Sequence, residues 1–303
     1  MRSITAVMSA LALAGTAFGF APNLSQPQQA LRLHSTQLGA AVERRGFLTS
    51  GVAGVASILF TADASFAEGP EKVLVLGGTG MVGSEVVKVL QAKGVEVIAT
   101  STNGRDGTVA VDFTEKDLGA KIESLAKGCT AVISCVGVIG TDSDAQINSG
   151  SGIAASAAKS AGCKHFAYIS VAPEVREFGK GFDFLDNYME GKAYSEGSIV
   201  SAFGAEGSSY TLIEPTFIYG GDKFGLKPPR VASFYGQFIE SLLASAPFRA
   251  ATNIAPEGFI KIALEPPVSA TSVAKAAVAG ALGKSTASVL DTYDKIMEAS
   301  SLV

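Results

Sequence analysis

The chain alternates between two hydrophobic periods. Val73-Leu-Val-Leu76 has no polar position, which predicts a strand buried on both faces. The glycine-rich turn Gly77 to Gly83 follows, and from Glu85 to Lys93 apolar residues recur at helical spacing, at Val86, Val87 and Leu90. The alternation then continues. Val95–Thr100 predicts a second strand, Val109–Asp112 a short third, and Thr130–Gly137 a fourth. His165–Ser170 predicts the fifth, and Ser209–Gly220 a sixth with a turn at Pro215. Between them, Lys116–Ala126 has amphipathic helical spacing and Ala145–Ala161 reads as a helix rich in Ala, Ser and Gly. Strands and helices in this order predict an α/β fold with a doubly wound parallel sheet.

The C-terminal third has a different texture. Gly221–Arg230 is a glycine- and proline-rich loop, and Phe234–Ala244 reads as a helix with Phe238, Leu242 and Leu243 as its apolar side. Glu265-Pro-Pro-Val-Ser269 supplies a turn and a hydroxyl cap for an Ala/Val helix reaching Leu282. A last helix is predicted over Ser288–Ser300, with Tyr293, Ile296 and Met297 on one side.

Strand, glycine turn and helix at Val73–Lys93 together have the form of a phosphate-binding unit. Backbone must approach a pyrophosphate closely, and the helix N-terminus offers unpaired N–H groups with a favourable dipole. The spacing is Gly77-x-x-Gly80-x-x-Gly83, which makes Gly77, Thr79, Gly80, Met81, Val82 and Gly83 the candidate cradle. An acidic residue at the end of the second strand would bind ribose hydroxyls. Thr100-Ser101-Thr102-Asn103-Gly104-Arg105 stands there instead, and its hydroxyls and guanidinium suit a 2′-phosphate. NADP(H) is therefore favoured over NAD(H), with Ser101 and Arg105 as ligands; the competing reading makes Arg105 a solvated loop charge.

Composition narrows the function classes. Of 303 residues 47% are apolar and 17% charged, which supports a sizeable core and rules out global disorder. A net charge of −4 and a pI near 5.4 argue against a nucleic-acid or anionic-membrane partner. Cys129, Cys135 and Cys163 lack metal-ligand spacing and read as buried reduced thiols. His165 begins a strand and reads as a surface residue rather than a base.

Residues 1–68 look like an address rather than part of the fold. Ala6–Phe18 is an apolar run of secretory-signal length, Ala17-Phe-Gly19 offers a cleavage signal, and residues 23–42 contain no acid. Ala17-Phe-Gly-Phe-Ala-Pro22 resembles the "ASAFAP" motif of algae with secondary plastids, with Phe20 opening the transit peptide. Arg44-Arg45-Gly-Phe-Leu48 before a mildly apolar run, with Ala62-Asp-Ala64 at its exit, resembles a twin-arginine signal. These resemblances imply a plastid protein and leave thylakoid association or the lumen open. Residues 46–62 also reach the lower length limit of a retained membrane anchor. A reducing nicotinamide enzyme in the lumen would be unusual, which weighs against that compartment. Residues 69–303 form the expected mature domain.

The second chemical motif lies in Leu185–Glu196. Tyr188 and Lys192 are four residues apart, so on a helix both face one cleft. A nearby ammonium lowers a tyrosine pKa and lets the phenol exchange a proton with a carbonyl or alcohol. With Gly77–Gly83, Ile133-Ser-Cys-Val-Gly137, Phe217-Ile-Tyr-Gly220 and Pro266-Pro-Val-Ser269, this pair resembles the atypical short-chain dehydrogenase/reductases with a Rossmann-type fold. The resemblance is to plastid NAD(P)-binding members similar to the NDUFA-type accessory subunit of complex I and to coenzyme Q biosynthesis reductase-like proteins. It implies that Asp112 approaches the adenine amino group, that Cys135, Val136 and Gly137 pass beside the cofactor, and that backbone at Pro215 and Ile218 meets the nicotinamide. It makes Tyr188 the proton donor, Lys192 the ribose anchor, and residues 221–262 a small C-terminal substrate lobe. The polarising serine falls at Ser170 or, by comparison with extended members, at Val171, and Glu214 replaces the usual arginine. A cysteine nucleophile at Cys135 is the rival reading there, with no basic partner nearby in sequence.

The implied activity is reduction of an apolar carbonyl or quinone-like substrate in the plastid, with a small molecule as partner. The alternative is a non-catalytic NADPH-binding subunit or assembly factor of a membrane complex. An NADPH sensor resembling the NmrA-type regulators shares the fold, and the Tyr–Lys pair weighs against it.

Overall fold

Strand β1 (Lys72–Leu76) sits between β2 (Glu96–Ser101) and β4 (Ala131–Ser134), which explains its uninterrupted apolar run. Val73 and Val75 point into one hydrophobic cluster and Leu74 and Leu76 into the other, and all four are fully buried. These relationships come from a computed structural model, in which the described residues are 71–303 apart from 181, 223, 224, 227, 228, 256 and 257. The address predicted for residues 1–68 lies outside the described residues.

The main sheet continues through β3 (Val109–Ala110), β5 (His165–Ile169), β6 (Ser209–Ile213) and β11 (Val289–Leu290). Its order is β11-β6-β5-β4-β1-β2-β3, and every pairing is parallel, so all strands end on one edge. The order reverses direction between β1 and β4, where a doubly wound sheet opens a crevice for a ligand. Helices α1 (Met81–Ala92), α9 (Ala270–Ala281) and α10 (Tyr293–Ser300) contribute to the cluster on one face. On the other face α2 (Leu118–Ala126), α3 (Asp144–Ser160) and α5 (Asp183–Phe203) do so. A short α4 (Pro173–Gly179) follows β5.

Helices α3 and α5 pack closely because their contact is made of small residues. A Cβ on Gly191 would lie 2.7 Å from Asn148 Cβ and 2.8 Å from the Ala145 carbonyl. This approach fixes the height of the next residue, Lys192, over the sheet edge.

Three expectations are corrected. The segment predicted as one helix over Ser288–Ser300 begins with β11, a seventh strand held by Leu212 N–H to Ser288 O and Glu214 N–H to Leu290 O. Two residues carry no period, so the strand left no pattern to read. The third strand is only Val109–Ala110, and Asp112 stands in the following turn. In α6 (Ser233–Leu243) the apolar face read from Phe238 and Leu242 is exposed. Its buried line runs through Gly236, on which the Tyr219 ring lies, and Leu243.

Beyond β6 the chain forms β7 (Ile218–Tyr219), which pairs with β10 (Val268–Ser269), and a small antiparallel pair, β8 (Gly225–Leu226) and β9 (Pro229–Arg230). Helices α7 (Ala246–Ile254) and α8 (Phe259–Leu264) complete this region. Among the described residues no helix is long and apolar enough to cross a membrane.

Candidate active site

The glycine turn is built by contacts that leave no room for side chains. Gly77 has φ 77°, and its carbonyl accepts from Gly80 N–H at 3.0 Å. A Cβ on Gly83 would lie 2.1 Å from that same carbonyl oxygen. Gly80 caps α1, and no side chain accepts from the first-turn amides. Those of Met81, Val82 and Gly83 lack partners inside the helix, the arrangement that receives an anionic phosphate. This geometry fits a dinucleotide pyrophosphate.

Beyond β2 the loop treats its candidate phosphate ligands differently. Arg105 is exposed, and its Nε and Nη2 donate to Thr79 Oγ1 at 3.1 and 3.0 Å, which sets a guanidinium at the rim of the turn. Ser101 is buried; its hydroxyl shares a hydrogen bond with Thr108 Oγ1 at 2.7 Å and accepts from Arg105 N–H at 3.1 Å. Its hydroxyl therefore shapes the loop that presents Arg105, instead of facing outward as a ligand. Asp112 Oδ1 accepts from the Thr114 backbone N–H and hydroxyl, and these bonds hold its carboxyl below the usual carboxylate range.

The end of β4 forms the adjoining wall. A Cβ on Gly77 would touch Val136 Cγ2 at 3.3 Å and the Cys135 carbonyl at 3.4 Å. Burial pushes the Cys135 thiol up to about 12, only partly opposed by Lys192, so it is protonated and unsuited to nucleophilic attack. The cysteine-nucleophile reading is thereby disfavoured. All three cysteines are free thiols. At Gly137 a Cβ would come within 3.2 Å of Lys192 Nζ. Val136 thus links the phosphate turn to the second motif.

Lys192 is 3% exposed. Its Nζ donates to the carbonyls of Ile169 at 2.8 Å and Val136 at 3.3 Å, at the ends of β5 and β4. It lies 4.6 Å from the Tyr168 ring centroid and 5.7 Å from that of Tyr188. Burial lowers its pKa to about 7, against the attraction of Glu196. Tyr188 moves the other way, up to about 12, again through burial and despite Arg176. The expected depression of the tyrosine pKa is therefore absent. Lys192 spends two of its three donors on carbonyls, and its charge is itself marginal at neutral pH.

Ser170 is committed elsewhere. Its hydroxyl donates to Glu196 Oε1, and Glu196 in turn receives Arg176 bidentately, Nη1 to Oε2 at 2.6 Å and Nη2 to Oε1 at 2.7 Å. Arg176 Nη2 also donates to the carbonyl of Val171, whose side chain is buried. Glu196, one turn beyond Lys192 on α5, is thus the partner of Arg176. Arg176 and Asn148 carried no motif. Asn148 Nδ2 donates to the carbonyls of Val138 and Asp144 at 2.8 and 2.7 Å, tying the loop after β4 to α3. Its one signal in the sequence was an amide side chain within a stretch of Ala, Ser and Gly.

Pro215 and Ile218 return the chain to the turn. The Pro215 carbonyl accepts from Ala172 N–H at 3.2 Å, joining the segments after β5 and β6. Ile218 lies on β7, and two residues later a Cβ on Gly220 would stand 3.3 Å from Met81 Sδ. The structure therefore gathers the glycine turn, Arg105, the β4 end, Tyr188, Lys192 and the post-proline segment at the C-terminal edge of the sheet. Such an edge can hold a dinucleotide with its reactive ring beside an acid.

Comparison with known proteins agrees with that capacity. The profile of the NAD(P)H-binding family matches residues 77–230. An uncharacterized chloroplastic protein of Arabidopsis thaliana is 30% identical over 186 residues, 58% of this chain and 60% of the relative. Among solved structures, a short-chain dehydrogenase/reductase superfamily protein from Agrobacterium tumefaciens with bound NAD is 18% identical. That match covers 49% of this chain and 50% of the other, with a TM-score of 0.41. A dTDP-4-dehydrorhamnose reductase from Clostridium acetobutylicum is 20% identical, covering 68% and 69%, with a TM-score of 0.44. The chain thus spans about three fifths of the Arabidopsis protein and half of the Agrobacterium one.

Proposed function

The chain belongs to the NAD(P)H-binding family, and on that premise we propose that it is an NADPH-dependent reductase of an apolar carbonyl or quinone-like substrate in the plastid. The observation that carries this reading is the continuity from the glycine turn through Val136 to Lys192 and Tyr188. Bound in the cradle, the cofactor would supply a hydride. The chain's own work is to hold the diphosphate at Gly77–Gly83 and to anchor the far ribose through Lys192. Tyr188 gives a proton to the developing alkoxide or phenolate oxygen.

The electrostatics favour that direction. A phenol whose pKa is raised to about 12 is protonated at neutral pH and so carries the proton that reduction consumes. The reverse reaction needs a tyrosinate, which burial disfavours. Arg105 beside Thr79, and the lack of an acid at the end of β2, support NADPH over NADH. The apolar substrate class is supported by Phe238 and Leu242, exposed on α6 in the lobe. The plastid assignment rests on the transit-like N-terminus and the chloroplastic relative.

A direct test follows NADPH oxidation by the full chain against soluble quinones and aromatic aldehydes. Tyr188→Phe should lower kcat by about 10² or more, the usual contribution of a positioned general acid. Turnover unchanged in that variant would reject Tyr188 as the acid.

One observation favours a second reading. Ser170 donates its hydroxyl to Glu196 and leaves substrate without the polarising serine the family resemblance implies. In that case the chain binds NADPH as a subunit or assembly factor of a membrane complex. Co-purification with such a complex, with no turnover of any quinone or carbonyl, would replace the first reading by the second.

A further inference from the structure

A second cavity, of about 280 Å³, lies between the ends of β6 and β11 and the α7–α8 region. It borders the cofactor site through Pro215 and Thr216 of the post-proline segment and shares no lining residue with the glycine turn or with Tyr188 and Lys192. Its two cations already have carboxylate partners. Arg249 pairs with Glu265 and Asp294, and Lys261 pairs with Glu174 Oε1 at 3.6 Å.

Its oxygens are less well served. Glu214 is 6% exposed, and its carboxyl enters no hydrogen bond or ion pair among the described residues. Glu174 Oε2 and Thr216 Oγ1, on the same lining, are buried and without a hydrogen-bond partner. Buried acceptors in this state are costly unless something donates to them. Glu174, Glu214, Glu265, Asp291 and Asp294 line the space against only Arg249 and Lys261. Its field therefore repels phosphates and carboxylates and attracts a cation.

We propose that this cavity binds a small organic molecule through a protonated amino group, seated against Glu214, Glu174 Oε2 and Thr216 Oγ1. An ammonium carries three donors and no acceptor, one each for the Glu214 carboxylate, Glu174 Oε2 and Thr216 Oγ1. The volume limits the ligand to a small one. This site is independent of whether the chain turns over NADPH.

The pH dependence has a defined sign. Burial raises Glu214 to about 7; Glu196, Asp291 and Glu174 push the same way, and Arg176 opposes them. The amine needs the ionised carboxylate, so affinity increases from pH 6 to pH 8. For a single carboxylate titrating near 7 the change is about tenfold.

The test is calorimetric titration of the full chain with n-butylammonium, n-butanol and butyrate. At pH 8 the amine should bind while the alcohol and the acid do not. Glu214→Gln should weaken the amine at least tenfold with an unchanged circular-dichroism spectrum. Should that variant fail to fold, Thr216→Val should weaken it at least threefold. The proposal is overturned if millimolar amine gives no heat, if affinity is the same at pH 6 and pH 8, or if the folded variants bind as the wild type does. Displacement of the amine by stoichiometric Mg²⁺ would overturn it in favour of a metal site.

Discussion

The Lys192 ammonium donates to the carbonyl oxygen of Ile169 at 2.8 Å and sits in a site only 3% exposed. A lysine held this way is a cost to folding at neutral pH, because the unfolded chain keeps it protonated and solvated near 10.5 while burial lowers it to about 7. Between those values the unfolded state binds the extra proton, so stability rises with pH through that window. The contribution is of order 1 kcal/mol per pH unit at most. Urea unfolding of wild type and Lys192→Met between pH 7 and 8.5, a range in which the three thiols titrate alike in both proteins, should show the wild type gaining on the variant as pH rises. A constant difference would mean that Lys192 is not depressed.

Gly83 and Gly94 separate cradle geometry from backbone conformation. Gly83→Ala places a methyl 2.1 Å from the Gly77 carbonyl, an overpacking expected to cost about 1–3 kcal/mol and to weaken NADPH at least tenfold. Gly94→Ala is a control, with φ 75° and nothing within 4 Å of its Cβ. It should cost about 1 kcal/mol through left-handed strain and leave NADPH affinity intact. Thermal unfolding and calorimetry on both variants give the comparison.

Arg105 is the one exposed cation on Thr79. Arg105→Ala should weaken NADPH about tenfold and change NADH by less than threefold, as for a charge that meets only the 2′-phosphate. Equal losses for both cofactors would make Arg105 a general phosphate contact or a loop support.

Ser170→Ala removes a hydroxyl already bound to Glu196. The expected result is a loss of about 1.5–3 kcal/mol of stability, a charged hydrogen bond's share, with kcat lowered far less than in Tyr188→Phe. A loss of kcat as large as that of Tyr188→Phe would mean that Ser170 leaves Glu196 to engage substrate.

Much of this architecture was legible in the amino-acid order. Val73–Leu76, an apolar run followed at once by a glycine turn, reads as an interior strand and is one, and Gly83 is forced by the Gly77 carbonyl. What escaped has physical causes. Val289–Leu290 joins the sheet through two residues, too few for a period, and α6 turns its phenylalanines outward because Gly236 packs under Tyr219. At the site, Tyr188 and Lys192 were visible through their spacing. The Arg176–Glu196–Ser170 cluster joins α4, α5 and the end of β5, and no local pattern encodes that meeting. The same is true of the shifts at Lys192 and Tyr188, which depend on burial and on which carbonyls the ammonium reaches.

The most direct test is calorimetric titration of the full chain with NADPH and then NADH. The predicted result is one NADPH bound per chain, with NADH at least tenfold weaker, a difference of about 1.4 kcal/mol. Binding of neither nucleotide would contradict the account: the glycine turn would be a structural turn, and Tyr188 would have no hydride to complement.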